Sequence, residues 1–173
     1  MNSSASASGP FWQFSLEVYA RPQVADLCLG LQDEYGFDVN IVLLCLWLAR
    51  DEGRTVSLTE IQTLRAGVAE LNENLVWPIR QARRWARTRI DVAPDSQAQA
   101  ECREIYASLK AIELRGERCV QLVLLECLRW VGMGCANPAD MAARASLESY
   151  RQAIAAPDAT GAILAQLTVK AFA

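Results

Sequence analysis

The sequence predicts an all-α protein, a single-domain orthogonal bundle of about seven or eight helices. Three observations lead there. Apolar residues recur at three- and four-residue steps through most of the 173-residue chain. Helix start and stop signals separate these stretches at short intervals. No segment alternates apolar and polar residues for long, and no Asn-Gly or Asp-Gly hairpin turn occurs.

The elements follow in order. MNSSASASGP is small and polar, lacks the basic start and apolar run of a leader peptide, and reads as a disordered tail over residues 1–9. The helical domain spans 10–173. Pro10 opens a short first helix with Phe11, Phe14 or Ser15, and Val18 on one face, widened by Trp12, Leu16 and Tyr19. Pro22 starts a second, with Val24, Leu27, Cys28, Leu31 and Tyr35 inward and Gly36 as its C-cap. Asp38 fits the N-cap of a third, DVNIVLLCLWLARDEG, whose middle is apolar all round and therefore central. Gly53 ends it.

Ser57 and Glu60 form a capping box for a fourth helix. Its seam is Ile61, Leu64, Val68, Leu71 and Leu75. Pro78 either kinks that helix or begins a new one. DVAPDS, residues 91–96, is a loop. Ala98, Cys102, Ile105, Leu109 and Ile112 mark the inner face of the next helix, which Gly116 breaks or bends. Cys119–Val131 reads as a second buried helix ended by Gly-Met-Gly. NPAD, residues 137–140, combines an Asn cap, a Pro at the first helical position and an Asp in the first turn. Met141, Ala145, Tyr150 and Ile154 are its candidate inner face. Pro157 closes it, and a last helix covers roughly Thr160 to Phe172.

Composition removes several function classes. There is no histidine, which excludes a Ser-His-Asp triad, a Cys-His dyad and any histidine-ligated metal. The net charge of −3 provides no global basic field for nucleic acid. No phosphate-binding glycine loop is present. The six cysteines form no Cys-x-x-Cys and sit among apolar residues, as small core side chains do in a reducing compartment. Cys119, Cys127 and Cys135 are eight residues apart, roughly 12 Å on a helix, too far to share a metal. The longest apolar run, Ile41 to Ala49, is too short to span a bilayer. The expectation is a cytoplasmic protein without a membrane span, cofactor or metal.

The block FWQFSLEVYARPQVADLCLGLQDEYGFDVNIVLLCLWLAR resembles the start of a proteobacterial family of unassigned function. The resemblance rests on FW-x-FS-x-x-VYA, a CL-x-LQ segment and G-x-DVN followed by LLCLWLA. The Arg-rich helix after a Trp-Pro step is similar as well. The resemblance covers residues 11 to 90 and implies a small bacterial cytoplasmic protein. It assigns no catalytic residue.

Candidate sites are few. WPIRQARRWARTR, residues 77–89, carries five arginines and no acid. On a helix, Arg80, Arg83, Arg84 and Arg87 share an arc of about 100°, with Trp77 beside them. Ile79, Ala82, Ala86 and Ile90 form the opposite, apolar face, bordered by Trp85. Such a stripe is either a solvated face paired to carboxylates of neighbouring helices, a surface for an acidic protein partner, or a polyanion site. Residues 10–53 are net −5 and residues 54–90 net +4, so pairing between these regions is the economical expectation. Asp33, Glu34 and Asp38 are poorly spaced for a metal, and capping accounts for Asp38. Trp12, Asn40 and Trp47 are a possible pocket, although aromatics at helical spacing are usually core.

The preferred function is a non-catalytic adaptor or regulatory protein that uses the arginine face to bind a protein partner. The alternatives are an enzyme or small-ligand binder with a pocket at Trp12, Asn40 and Trp47, and a polyanion or nucleic-acid module.

Overall fold

A computed structural model describes residues 9–92, 97–128 and 137–173, with the side chains of residues 91 and 92 excepted. Nearly all of the expected tail (1–8), most of the expected 91–96 loop (93–96), the Gly-Met-Gly stop and Cys135 lie outside these residues. Among the described residues there are eight α-helices and no strand: α1 (Pro10–Tyr19), α2 (Val24–Tyr35), α3 (Val39–Glu52), α4 (Leu58–Leu71), α5 (Trp77–Val92), α6 (Gln97–Leu128), α7 (Ala139–Ala153) and α8 (Thr160–Phe172). A five-residue π turn, π1 (Asn72–Val76), joins α4 to α5 without a break. The protein is all-α, as its periodicity predicts.

The chain forms two compact units. The first comprises the residues up to Arg65 together with Leu124–Ala173. At its centre is α3, in which every residue from Asn40 to Leu46 is buried. Asp38 caps it, accepting a 2.8 Å hydrogen bond from the Asn40 N–H. Gly36 and Gly53 close α2 and α3 in the left-handed conformation, at φ 73° and 60°. The α1 face is Phe11, Phe14, Ser15 and Val18; Leu16, expected to widen it, is 50% exposed. Arg21 ties α1 to the C-terminus of α8, donating to the carbonyls of Lys170 and Ala171 at 3.3 and 2.6 Å. A cation there complements the helix dipole.

The inner face of α7 is Ala142, Ala143, Ser146, Leu147 and Tyr150. Tyr150 is there as expected, but Met141 is 59% exposed and Ala145 is exposed as well. The start signal misleads the frame. Asn137 does not cap α7. Its N–H donates to the Gly53 carbonyl at 2.8 Å, and its side chain lies 3.4 Å from the Thr55 hydroxyl. Pro138 takes the cap position with no side-chain bond. Buried Ser146 accepts the Val56 N–H at 2.8 Å and donates to the Ala142 carbonyl at 2.7 Å. One hydroxyl thus satisfies two main-chain groups.

The second unit is Ala66–Val123, the end of α4, π1, α5 and most of α6. The capping box at the start of α4 forms as expected, with Ser57 and Glu60 exchanging bonds of 2.6 and 3.3 Å. Gly116 does not break α6, which runs on to Leu128.

Candidate partner-binding surface

Pro78 governs the geometry of α5. Its ring cannot donate a hydrogen bond and would crowd the carbonyl four residues earlier, that of Asn74. The chain absorbs this with the π turn: the Trp77 N–H reaches the Asn72 carbonyl, five residues back. The extra residue rotates the register. The expected seam positions Leu71 and Leu75 give way to buried Asn72 and Val76, and Leu75 becomes 40% exposed.

Helix α5 then runs antiparallel to α6. Val76 lies against Gly116, where an added Cβ would stand 3.3 Å from the Val76 Cγ2. Further along, Arg80 meets Glu113 and Glu117, Arg87 lies over the Tyr106 ring at 5.8 Å, and the Ile90 carbonyl accepts from Gln99 at 2.8 Å.

This arrangement reverses part of the expected amphipathicity. Arg80 and Arg83 are directed inward, with side chains 16% and 23% exposed. Arg80 donates to Glu113 at 3.1 Å and to Glu117; Arg83 donates to both oxygens of Glu113. Burial works against the Arg80 charge, yet Glu117 and Glu113 hold its pKa above the ordinary arginine value. The hydrogen bond from Arg83 to Glu113 does the same for the Arg83 guanidinium. Their acidic partners are therefore on α6, not in residues 10–53 as the regional charge balance indicates. Of the expected apolar underside, Ala86 is buried, Ile79 and Ile90 are half-buried and Ala82 is exposed.

Two indoles are left outside. Trp77 is 47% and Trp85 66% exposed, and the Arg89 guanidinium lies 5.9 Å from the Trp85 ring centre. Arg84 and Arg87 are exposed beside them. The outer face of α5 is thus an aromatic and cationic surface without a carboxylate between residues 77 and 89.

Sequence reasoning passes over Glu113, Glu117 and Tyr106. The signal is there: Gln99, Tyr106 and Glu113 are spaced by seven, and carboxylates four apart repel on a helix unless cations meet them.

The possible pocket at Trp12, Asn40 and Trp47 is differently occupied. The Phe11 ring stacks on Trp47 at 5.3 Å between centres, and Asn40 is buried within the start of α3. The Trp47 Nε1 is buried without an acceptor. An open cleft of about 230 Å³ lies elsewhere, lined by Arg144, Leu147 and Glu148 of α7 and Leu164 and Thr168 of α8. Its carboxylate is already engaged: both Glu148 oxygens accept from Arg151, at 2.7 and 2.8 Å. That hydrogen bonding lowers the Glu148 pKa to about 2, which unsuits it as a general base near neutrality. Among the described residues, no group of three or more Cys, Asp or Glu is placed to hold a metal ion, and no helix is long and apolar enough to cross a membrane.

Comparison with curated proteins and with solved structures gives no match. One family model, described as a protein of unknown function (DUF2390), matches residues 10–124. That span holds α1 to α5 and most of α6, including every residue of the arginine–glutamate seam, and the chain belongs to the DUF2390 family.

Proposed function

We propose that this protein is a non-catalytic bacterial cytoplasmic adaptor that binds an acidic protein surface through the outer face of α5. One observation carries the reading. Trp77 and Trp85 are solvent-exposed on a segment with five arginines and no acid. Tryptophan and arginine dominate the energetics of protein interfaces, whereas an exposed indole does nothing for the free chain. Arg80 and Arg83 are largely buried against α6, so the exposed residues that this surface offers are Trp77, Arg84, Trp85 and Arg87. The cytoplasmic part rests on the thiols: Cys28, Cys45, Cys102, Cys119 and Cys127 are all unpaired, as in a reducing compartment.

The test is affinity capture from cell extract with the full-length protein and two variants. Trp77→Ala/Trp85→Ala and Arg84→Glu are each expected to lose the same partner, with helical circular dichroism unchanged. An unchanged partner set in both variants overturns the reading. Retention on heparin or single-stranded DNA at low salt, with a steep loss as salt rises, would instead assign the face to polyanions.

A further inference from the structure

The same helical hairpin has a second side. Successive helical residues turn by roughly 100°. Measured from Arg83, which faces α6, Ile79, Ala86 and Ala82 lie about 40–100° in one sense. Trp77 and Arg84 lie about 100–120° in the other. Measured from Glu113 on α6, Leu109, Ile105, Ile112 and Cys119 lie about 40–120° in the first sense. In an antiparallel pair, equal rotational senses lead to the same side. These apolar residues of the two helices therefore share one side of the hairpin, and Trp77 and Arg84, with Leu114 of α6, occupy the opposite one.

That apolar side is uncovered. Ile105 and Ile112 are 52% and 47% exposed, and Ala82, Ala98 and Cys119 are exposed. The sequence marks Ala98, Ile105 and Ile112 as an inner face; the structure turns them outward, because α6 gives α5 its Gln99, Tyr106, Glu113 and Glu117 instead. Within this unit the hairpin is a single layer, and a helical layer with an apolar side is completed by a second one.

We propose that the second layer is the same hairpin of another copy of this chain, with the two α6 helices packed antiparallel about a twofold axis between Ser108 and Leu109. The row is self-complementary in that register. Ala98, Ile105, Ile112 and Cys119 follow at seven-residue steps, so a twofold at that point sets Ile105 opposite Ile112 and Ala98 opposite Cys119, large against large and small against small. The flanking charges agree. Glu101 and Arg115 border the row, and the same axis brings each within one residue of the other's oppositely charged partner. An isologous interface requires that kind of match, residue i meeting j and j meeting i. Two hairpins stacked this way make a four-helix bundle. The acidic-partner face with Trp77 and Arg84 lies on the far side and stays accessible.

The test uses the full chain carrying Ala98→Cys. Treatment with diamide is expected to join the thiol introduced by that substitution to the native Cys119 of a second molecule, giving a disulfide-linked dimer whose linked peptides are identified by mass spectrometry. Closure within one chain is ruled out because the positions stand about 30 Å apart along one helix. Light scattering of the unmodified protein is expected to give twice the chain mass. Ile105→Glu/Ile112→Glu should halve it with helicity retained, whereas Trp77→Ala/Arg84→Glu, on the opposite side of the hairpin, should leave it doubled. A monomeric unmodified protein overturns the proposal, as does a cross-link mapping to other cysteines or a dimer that persists in the Glu double variant. Loss of the captured partner with the dimer intact would separate the two surfaces.

Discussion

The Tyr150 hydroxyl accepts a 2.7 Å hydrogen bond from the backbone N–H of Asp38. The donor is the residue that caps α3, and the acceptor sits on α7, where Tyr150 also meets Phe37 edge-on at 5.0 Å. Burial and the nearby Asp38 carboxylate keep this phenol protonated far beyond the usual tyrosine range. Tyr150→Phe keeps the ring and removes only the acceptor. A buried N–H left unsatisfied costs about 1–3 kcal/mol. Chemical denaturation should show that loss, with unchanged helical content.

Glu113 is the shared anion for Arg80 and Arg83. Removing one member of a largely buried ion cluster leaves uncompensated charge, so Glu113→Ala should destabilise by about 3 kcal/mol. Replacing Arg80, Arg83 and Glu113 together by Leu should recover most of that loss, since well-packed apolar residues often equal a buried ionic group. Equal destabilisation of the single and triple variants would contradict the paired arrangement.

The cysteines should separate by reactivity. Burial pushes the Cys28 and Cys45 thiols up to about 12, so both are protonated and shielded at about pH 8. Cys119 is exposed. Iodoacetamide at about pH 8 should label the Cys119 peptide in the folded Ile105→Glu/Ile112→Glu variant, in which the α6 row is uncovered, and reach Cys28 and Cys45 only after denaturation.

Glu148 provides a pH test. Hydrogen bonds from Arg151 and then Gln152 lower its folded pKa to about 2; the unfolded chain has the ordinary value near 4.5. A depressed carboxyl stabilises the fold above the unfolded value, and that contribution fades as pH falls from there through about 2. Arg151→Ala should therefore be less stable than the unmodified protein at about pH 6, and the difference should shrink toward about pH 2 to what the Arg151 bond to the Ala156 carbonyl contributes. Titration of the Glu148 carboxyl by NMR should place its midpoint well below the ordinary value.

Two glycines of the α2 region should respond in opposite directions. Gly30 is inside the helix, and an added Cβ meets nothing within 4 Å. Gly30→Ala should stabilise by about 1 kcal/mol through helix propensity. Gly36 holds φ 73° at the C-cap, where a side chain is strained, so Gly36→Ala should destabilise by about 1 kcal/mol.

What the sequence discloses depends on the range of each interaction. The Ser57–Glu60 box, the Asp38 cap and the Gly36 and Gly53 stops involve neighbours a few residues apart, and each forms as its pattern indicates. The seam beyond Val68 is misplaced because one residue is inserted into the helix by the π turn, and period counting assumes none. The arginine stripe does lie on one face of a helix. Its direction is not legible, because it depends on Glu113 and Glu117, some thirty positions away in the chain. The same distant choice turns Ile105 and Ile112 outward.

The arginine–glutamate seam has a consequence for temperature. Apolar burial carries a large heat capacity and weakens on cooling, while ionic contacts contribute little of it and lose less. The unit centred on α3 is held by hydrocarbon, whereas α5 and α6 meet largely through guanidinium and carboxylate. Their stability curves should then have different curvature, steep for the first and shallow for the second. Hydrogen exchange followed from about 5 to 40 °C would show the amides of α3 changing protection far more than those of α5.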